Sequence, residues 1–168
     1  WFTSDKSIIE YLLAKEPVQR VAKALKAFDE KLEVIALDTS ARTAQEAADS
    51  LKTEVGSIVK SLFLRTGNSY LLCLVAGDKR CSLNKVKKIL GEKDVSMANA
   101  NDVKEQTGFT IGGGSPVGHL KQFKIFIDQS LNRFQNIYGA AGHPNCVFKT
   151  DFTSLSQLTK GEVKEIVD

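Results

Sequence analysis

Two apolar runs separated by a short polar break limit the fold more than any other feature of this 168-residue chain. Ile58-Val59-Lys60-Ser61-Leu62-Phe63-Leu64 and Tyr70-Leu71-Leu72-Cys73-Leu74-Val75 flank Thr66-Gly67-Asn68-Ser69. Apolar runs of this length, bounded by Gly and Asn, read as an antiparallel hairpin. A chain that commits to such a hairpin is not built on a purely parallel sheet.

Helical patterns surround the hairpin. Val18, Val21, Ala22, Leu25 and Phe28 recur at helical spacing, with Pro17 near the start, which predicts a helix over 17–28. Ile8, Ile9, Leu12 and Leu13 predict a shorter helix before it. Residues 33–37 form a strand candidate. Thr43-Ala44-Gln45-Glu46 is a capping box, so a helix is expected from there to about Lys52. A basic helix from about Ser82 to Leu90 is stopped by Gly91, and another from about Asn101 to Gln106 by Gly108. Strands are expected near Val95 and over 124–127, 136–140 and 146–149, with a last helix near Ser154. The mixture predicts one α+β domain with a mixed, curved sheet flanked by helices. Residues 1–16 are expected to be an N-terminal helical extension and 17–168 the domain itself. The chain opens on Trp1 instead of Met, so a trimmed or appended start is expected.

Composition excludes several classes. With 42% hydrophobic and 26% charged residues, the chain is ordinary for a globular protein. No apolar run approaches the roughly 20 residues that span a bilayer, and residues 8–13 are too short and too charged for a signal peptide. A cytoplasmic location is expected. Cys73, Cys81 and Cys146 make an odd count with no C-x-x-C pair and no zinc spacing, so neither a disulfide framework nor a metal site is expected. A net charge of +3 permits nucleic-acid binding without requiring it. Lys79, Arg80, Lys85, Lys87, Lys88 and Lys93 crowd one segment and are either a solvated helix face or a nucleic-acid contact.

Three features carry possible chemistry. Lys60 shares a strand face with Ile58, Leu62 and Leu64 by the period-two rule. A lysine there is costly unless its ammonium reaches water, a partner or a ligand; the bland reading is an edge lysine that snorkels to solvent. The loop Gly112-Gly113-Gly114-Ser115-Pro116-Val117-Gly118-His119 lets a ligand approach the main chain, and its N–H groups suit an anion nest or an oxyanion hole. It is not a Walker loop, because His119-Leu120 stands where Lys-Ser/Thr is required. It is not a dinucleotide fingerprint, because Val117 stands where the last Gly should be. In Gly139-Ala140-Ala141-Gly142-His143-Pro144-Asn145, His143 is placed to donate a hydrogen bond or move a proton. No serine–histidine–acid set is assignable.

Taken together, Gly56-Ser57-Ile58-Val59-Lys60-Ser61-Leu62, Gly77-Asp78-Lys79-Arg80, the segment from Thr107-Gly108-Phe109-Thr110-Ile111 through His119, and Gly142-His143-Pro144-Asn145 resemble the YbaK/prolyl-tRNA-editing family over about residues 17–167. The resemblance implies a barrel-like sheet around a small pocket. It implies trans-editing hydrolysis of the aminoacyl ester of mischarged tRNA, probing the acceptor end, with prolyl-tRNA synthetase as a second partner and no cofactor, membrane or DNA. It implies that Lys60 is the essential lysine and that Gly112, Gly113, Gly114 and Ser115, closed by Pro116, are the catalytic loop. Pro116, His119, Gly142, His143 and Asn145 become substrate-binding candidates, and Lys79, Arg80, Lys85, Lys87 and Lys88 tRNA-binding candidates. Val147 stands near the place of an aspartate in the Cys-tRNA(Pro) deacylase branch, so this chain looks more like the branches that resemble the synthetase insertion domain. The expected substrate is tRNA(Pro) carrying alanine or 2-aminobutyrate. The alternative is a non-catalytic tRNA- or synthetase-binding module of the same fold.

Overall fold

The computed structural model describes residues 2–110 and 112–168. The expectations that fall on Trp1, and on Ile111 within the glycine-loop motif, lie outside the described residues.

The hairpin is the longest strand pair. Strands β2 (Val59–Thr66) and β3 (Ser69–Ala76) run antiparallel in register from Val59 opposite Ala76 to Thr66 opposite Ser69. Numbering strands in chain order, β1 (Val34–Ala36) precedes them, and β4 (Val95–Met97), β5 (Lys124–Asp128), β6 (Ile137–Ala140), β7 (Cys146–Thr150) and β8 (Glu162–Lys164) follow. The two-residue turn needs a positive φ, and Gly67 supplies it at 63°. Strand β4 adds antiparallel to β2, while β5 and β8 add parallel beyond β3, giving the order β4-β2-β3-β5-β8. A second, antiparallel sheet has the order β1-β7-β6.

The described strands thus form a mixed α+β fold with two sheets, neither of them closed into the barrel-like sheet that the resemblance implies. A 3-10 turn at Val55–Ser57 interrupts the chain before β2, and the bridge between Ile58 and Tyr138 joins the two sheets there.

Helices cover both sides. They are α1 (Phe2–Leu13), α2 (Glu16–Phe28), α3 (Ala44–Leu51), α4 (Leu83–Leu90), α5 (Ala100–Thr107) and α6 (Phe152–Thr159). Local chemistry sets their ends. Thr43 Oγ1 accepts the Glu46 N–H at 3.1 Å, and Ser82 Oγ accepts that of Lys85 at 3.2 Å. Gly91 and Gly108 close α4 and α5 in the left-handed region.

The strict alternation of β2 and β3 splits the core. Val59, Phe63, Leu72, Leu74 and Ala76 pack with Val21, Leu25 and Phe148. Leu64, Leu71, Cys73 and Val75 pack on the other face under Val86 of α4. Asp128, fully buried, ties the tail to the sheet: Oδ1 accepts the Ile166 N–H at 2.8 Å and Oδ2 that of Ser130 at 2.9 Å.

Candidate active site

Strand β4 pairs only with Leu64, Arg65 and Thr66, so the first half of β2 has a free edge. Across that edge stand α3, α5, the glycine loop and β6, and between them lies a cavity of about 1030 Å3. Such a volume suits a small-molecule-sized ligand. Lys60, Gly112 and Gly114, named from the sequence, line it. No aspartate or glutamate is among the described residues that do so.

Lys60 is half-buried, in register with Val75 and on the same strand face as Leu62 and Leu64. Ile58 lies before the strand and packs instead with Ala41, Ala47 and Val147. The Lys60 ammonium donates to the carbonyl of Lys79, in the turn after β3. An ammonium has three donors, so this bond orients the group without exhausting it. Cys81, two residues on, hydrogen bonds Cys73; that bond and burial push the Cys73 thiol well up, while Cys81 is lowered by the same bond.

The three glycines are required for different reasons. Gly112 has φ 87°, and a Cβ there would stand 2.8 Å from Arg42 Cγ. A Cβ on Gly113 would stand 2.9 Å from the backbone of Gly142 and His143. A Cβ on Gly114 would meet nothing within 4 Å, because Gly114 borders the open cavity. The Gly113 N–H is committed to the Thr110 carbonyl at 3.1 Å. Those of Gly114 and Ser115 make no bond among the described residues.

The far end of the loop is turned away from the cavity. Ser115 is 2% exposed, and its Oγ accepts the Val117 N–H at 3.1 Å, so the hydroxyl serves the turn. His119 sits between Phe109 and Phe123, with Nε2 2.7 Å from the Ser115 carbonyl. A carbonyl only accepts, so Nε2 carries the proton. Burial lowers the pKa of His119 to about 4, with nearby Arg20 adding to the effect. Arg20 stacks on Phe109 and donates to the carbonyls of Thr107, Gly108 and Gly118, clamping both ends of the loop segment.

The histidine segment behaves similarly. His143 Nδ1 accepts the Asn145 N–H at 3.0 Å, and burial, then Lys15, lowers its pKa. The Pro144 and Asn145 carbonyls accept from Ala41 at 2.6 Å and Leu37 at 2.7 Å. This segment thus fixes the connection between β1 and α3. Pro116, His119, Gly142, His143 and Asn145 all stand behind the cavity wall; Tyr138, Gly139, Ala140 and Val147 form that part of the lining.

The basic residues divide. Lys79 borders the site through its carbonyl. Lys85, Lys87 and Lys88 lie on α4, which covers the face of the five-stranded sheet that carries Lys60, Leu62 and Leu64, and Lys85 Nζ donates to the Val167 carbonyl at 2.5 Å. None of these, nor Arg80, lines the cavity.

Among the lining residues not expected from the sequence are Arg42, Lys104 and Ser61. Ser61 Oγ is buried without a hydrogen-bond partner. Its signal was a hydroxyl breaking an apolar strand beside Lys60. Lys104 lies among other charges, and Arg42 in a polar stretch before α3, so neither carried such a signal. Among the described residues no group of three or more His, Cys, Asp or Glu is placed to hold a metal ion. No helix is long and apolar enough to cross a membrane.

Residues 38–158 match the model of the aminoacyl-tRNA editing domain. A Bacillus subtilis protein without an assigned activity is 33% identical over 132 residues, which is 78% of this chain and 83% of that protein. An Enterococcus faecalis protein named as a candidate Cys-tRNA(Pro)/Cys-tRNA(Cys) deacylase is 30% identical over 126 residues, 74% of this chain and 76% of the relative. The proline–tRNA ligase of Thermosipho melanesiensis is 32% identical over 108 residues, 64% of this chain but 19% of the ligase. A crystal structure described as a candidate trans-editing enzyme for prolyl tRNA synthetase superposes with a TM-score of 0.86 at 34% identity, covering 92% of this chain and 98% of that one.

Proposed function

This chain belongs to the aminoacyl-tRNA editing domain family, a family of hydrolases acting on aminoacyl-tRNA, and we propose that it clears tRNA(Pro) mischarged with alanine or 2-aminobutyrate. One observation carries this reading. A cavity large enough for an adenosine and an aminoacyl group brings Lys60 together with the open backbone at Gly114, and no carboxylate of the described residues lines it.

Ester hydrolysis needs a held substrate, an attacking water and stabilisation of the oxyanion that forms on the carbonyl oxygen. The Gly114 N–H, which makes no bond among the described residues and borders the cavity, is suited to that oxyanion as a preorganised donor in a partly dry site. Lys60 anchors the adenosine end or its phosphate, or else polarises the water, with the donors left free by the Lys79 carbonyl. Both histidines stand behind the wall, His119 sandwiched between Phe109 and Phe123 and His143 bonded to the Asn145 N–H, so neither reaches the attacking water as its base. The neighbouring free hydroxyl of the terminal ribose is suited to assist, orienting the attacking water and relaying its proton to the ester oxygen that departs. Lys79, Arg80 and the α4 lysines would meet phosphates farther along the acceptor stem.

The amino-acid preference follows from the lining. Gly112, Gly114, Gly139, Ala140 and Val147 offer small or apolar surface and no counter-charge for a cationic side chain. A synthetase for proline cannot reject smaller amino acids by size alone, since a methylene is worth only about 1–3 kcal/mol. A second site that refuses the rigid proline ring is the remedy. The name of the Enterococcus relative makes cysteine the main competitor. Hydrolysis rates on Ala-, 2-aminobutyryl-, Ser-, Thr-, Cys- and Pro-tRNA(Pro) test this. Fastest cleavage of Ala- or 2-aminobutyryl-tRNA with Pro-tRNA left intact is expected; a clear preference for Thr or Cys, or rapid loss of Pro-tRNA, would overturn the assignment.

A further inference from the structure

We propose that Arg42 and Lys104 form a phosphate-binding pair at the mouth of the cavity, which takes the phosphodiester beside the terminal adenosine. The proposal rests on the deacylase reading above and assigns that substrate a second anchoring point.

Arg42 precedes α3 and Lys104 lies on α5, so the two cations come from separate elements. Both are exposed, and both line the cavity. Neither takes part in an ion pair among the described residues. The acids beside Lys104 on its own helix face other groups: Glu105 pairs with Lys121 at 3.8 Å, and Asp102 lies near Tyr70 and Arg65. With Lys60 deeper inside, the described lining of the concavity holds three cations and no carboxylate to compensate them. A cleft of one sign with low-dielectric walls focuses its field on an incoming ligand of opposite charge.

The glycine loop places the arginine. The position of a Cβ on Gly112 lies 2.8 Å from Arg42 Cγ and 3.2 Å from its Nε, so only a glycine there lets the Arg42 side chain lie across the loop. The guanidinium therefore belongs to the same surface that faces the reacting ester. Depth orders the groups: half-buried Lys60 and Gly114 inside, exposed Arg42 and Lys104 at the rim. An aminoacyl ester seated inside leaves its neighbouring phosphodiester at that rim. The planar Arg42 fork suits two phosphate oxygens, and Lys104 serves as a point charge.

The test compares two substrates that share an ester but not a phosphate: Ala-tRNA(Pro) and 3′-O-alanyl-adenosine. Steady-state hydrolysis of both is measured with the wild type, Arg42→Ala, Lys104→Ala, the double variant and Arg42→Lys. Each alanine substitution is expected to lower kcat/KM on the tRNA about tenfold more than on the nucleoside ester. The loss should lie mainly in KM, with Arg42→Lys recovering part of it. The dependence of log KM on log salt should become shallower by about 0.7 in the double variant, one single-strand phosphate contact. Equal losses on the two substrates, or no loss on either, would overturn the proposal. A wild-type protein that cleaves neither ester would instead overturn the deacylase reading beneath it.

Discussion

The N–H of Gly142 donates to the carbonyl of Gly113 at 3.0 Å, locking the histidine segment to the middle of the glycine loop. Two motifs far apart in the chain thereby share one wall, and the cavity lies on its other side.

That contact separates two neighbouring glycines. In Gly113→Ala the new methyl would collide at 2.9 Å with the backbone of Gly142 and His143, which cannot simply rotate away. Overpacking of this kind costs about 1–3 kcal/mol, and a drop of several degrees in melting temperature is expected with loss of activity. Gly114→Ala has nothing within 4 Å of its methyl, so it should melt like the wild type while narrowing the cavity and slowing hydrolysis. Thermal melts and rates on the two variants check this. Equal melting temperatures for the two would contradict the wall as described.

His119 gives the stability a pH dependence. Its folded pKa of about 4 lies below the unfolded value of about 6.5. Between these values the unfolded chain binds a proton that the folded one refuses. The contribution of neutral His119 is therefore complete above pH 6.5 and is lost as pH falls toward 4, by up to about 3 kcal/mol. Denaturant titrations from pH 7.5 to 4.5 should show this decline, and His119→Phe should flatten it. A slope unaltered in that variant would assign the acid sensitivity to other groups.

Much of this fold was legible because its signals are local. The hairpin, the Thr43 and Ser82 caps and the glycine stops at Gly91 and Gly108 depend on residues within a few positions of one another. The division into two sheets was not, because it turns on the long-range meeting of Ile58 and Tyr138. Strand β8 was missed as well: its three residues, Glu162, Val163 and Lys164, carry no alternation long enough to read. In the site, the meeting of Lys60 with the glycine loop could be anticipated. The placement of His119 could not, since a histidine after a glycine looks the same whether it faces a ligand or is sandwiched by Phe109 and Phe123.

Ser61 separates function from stability. Its buried Oγ has no partner among the described residues, which costs stability unless a ligand supplies one. Ser61→Ala removes the unpaired hydroxyl and should leave stability equal or raise it by up to about 1 kcal/mol. Activity should fall about tenfold if the hydroxyl bonds the substrate. Lower stability with unchanged hydrolysis would show that the group serves the fold.

The central claim is that Lys60 and the open glycine loop together form a hydrolytic site. Single-turnover hydrolysis of Ala-tRNA(Pro) by the wild type and by Lys60→Ala tests it most directly. The variant should melt within a few degrees of the wild type, because Lys60 fills no part of the apolar core, and its rate should fall by at least about 100-fold, near 3 kcal/mol of transition-state stabilisation. A rate within about threefold of the wild type would contradict the claim and leave Lys60 as an edge lysine that holds the Lys79 turn.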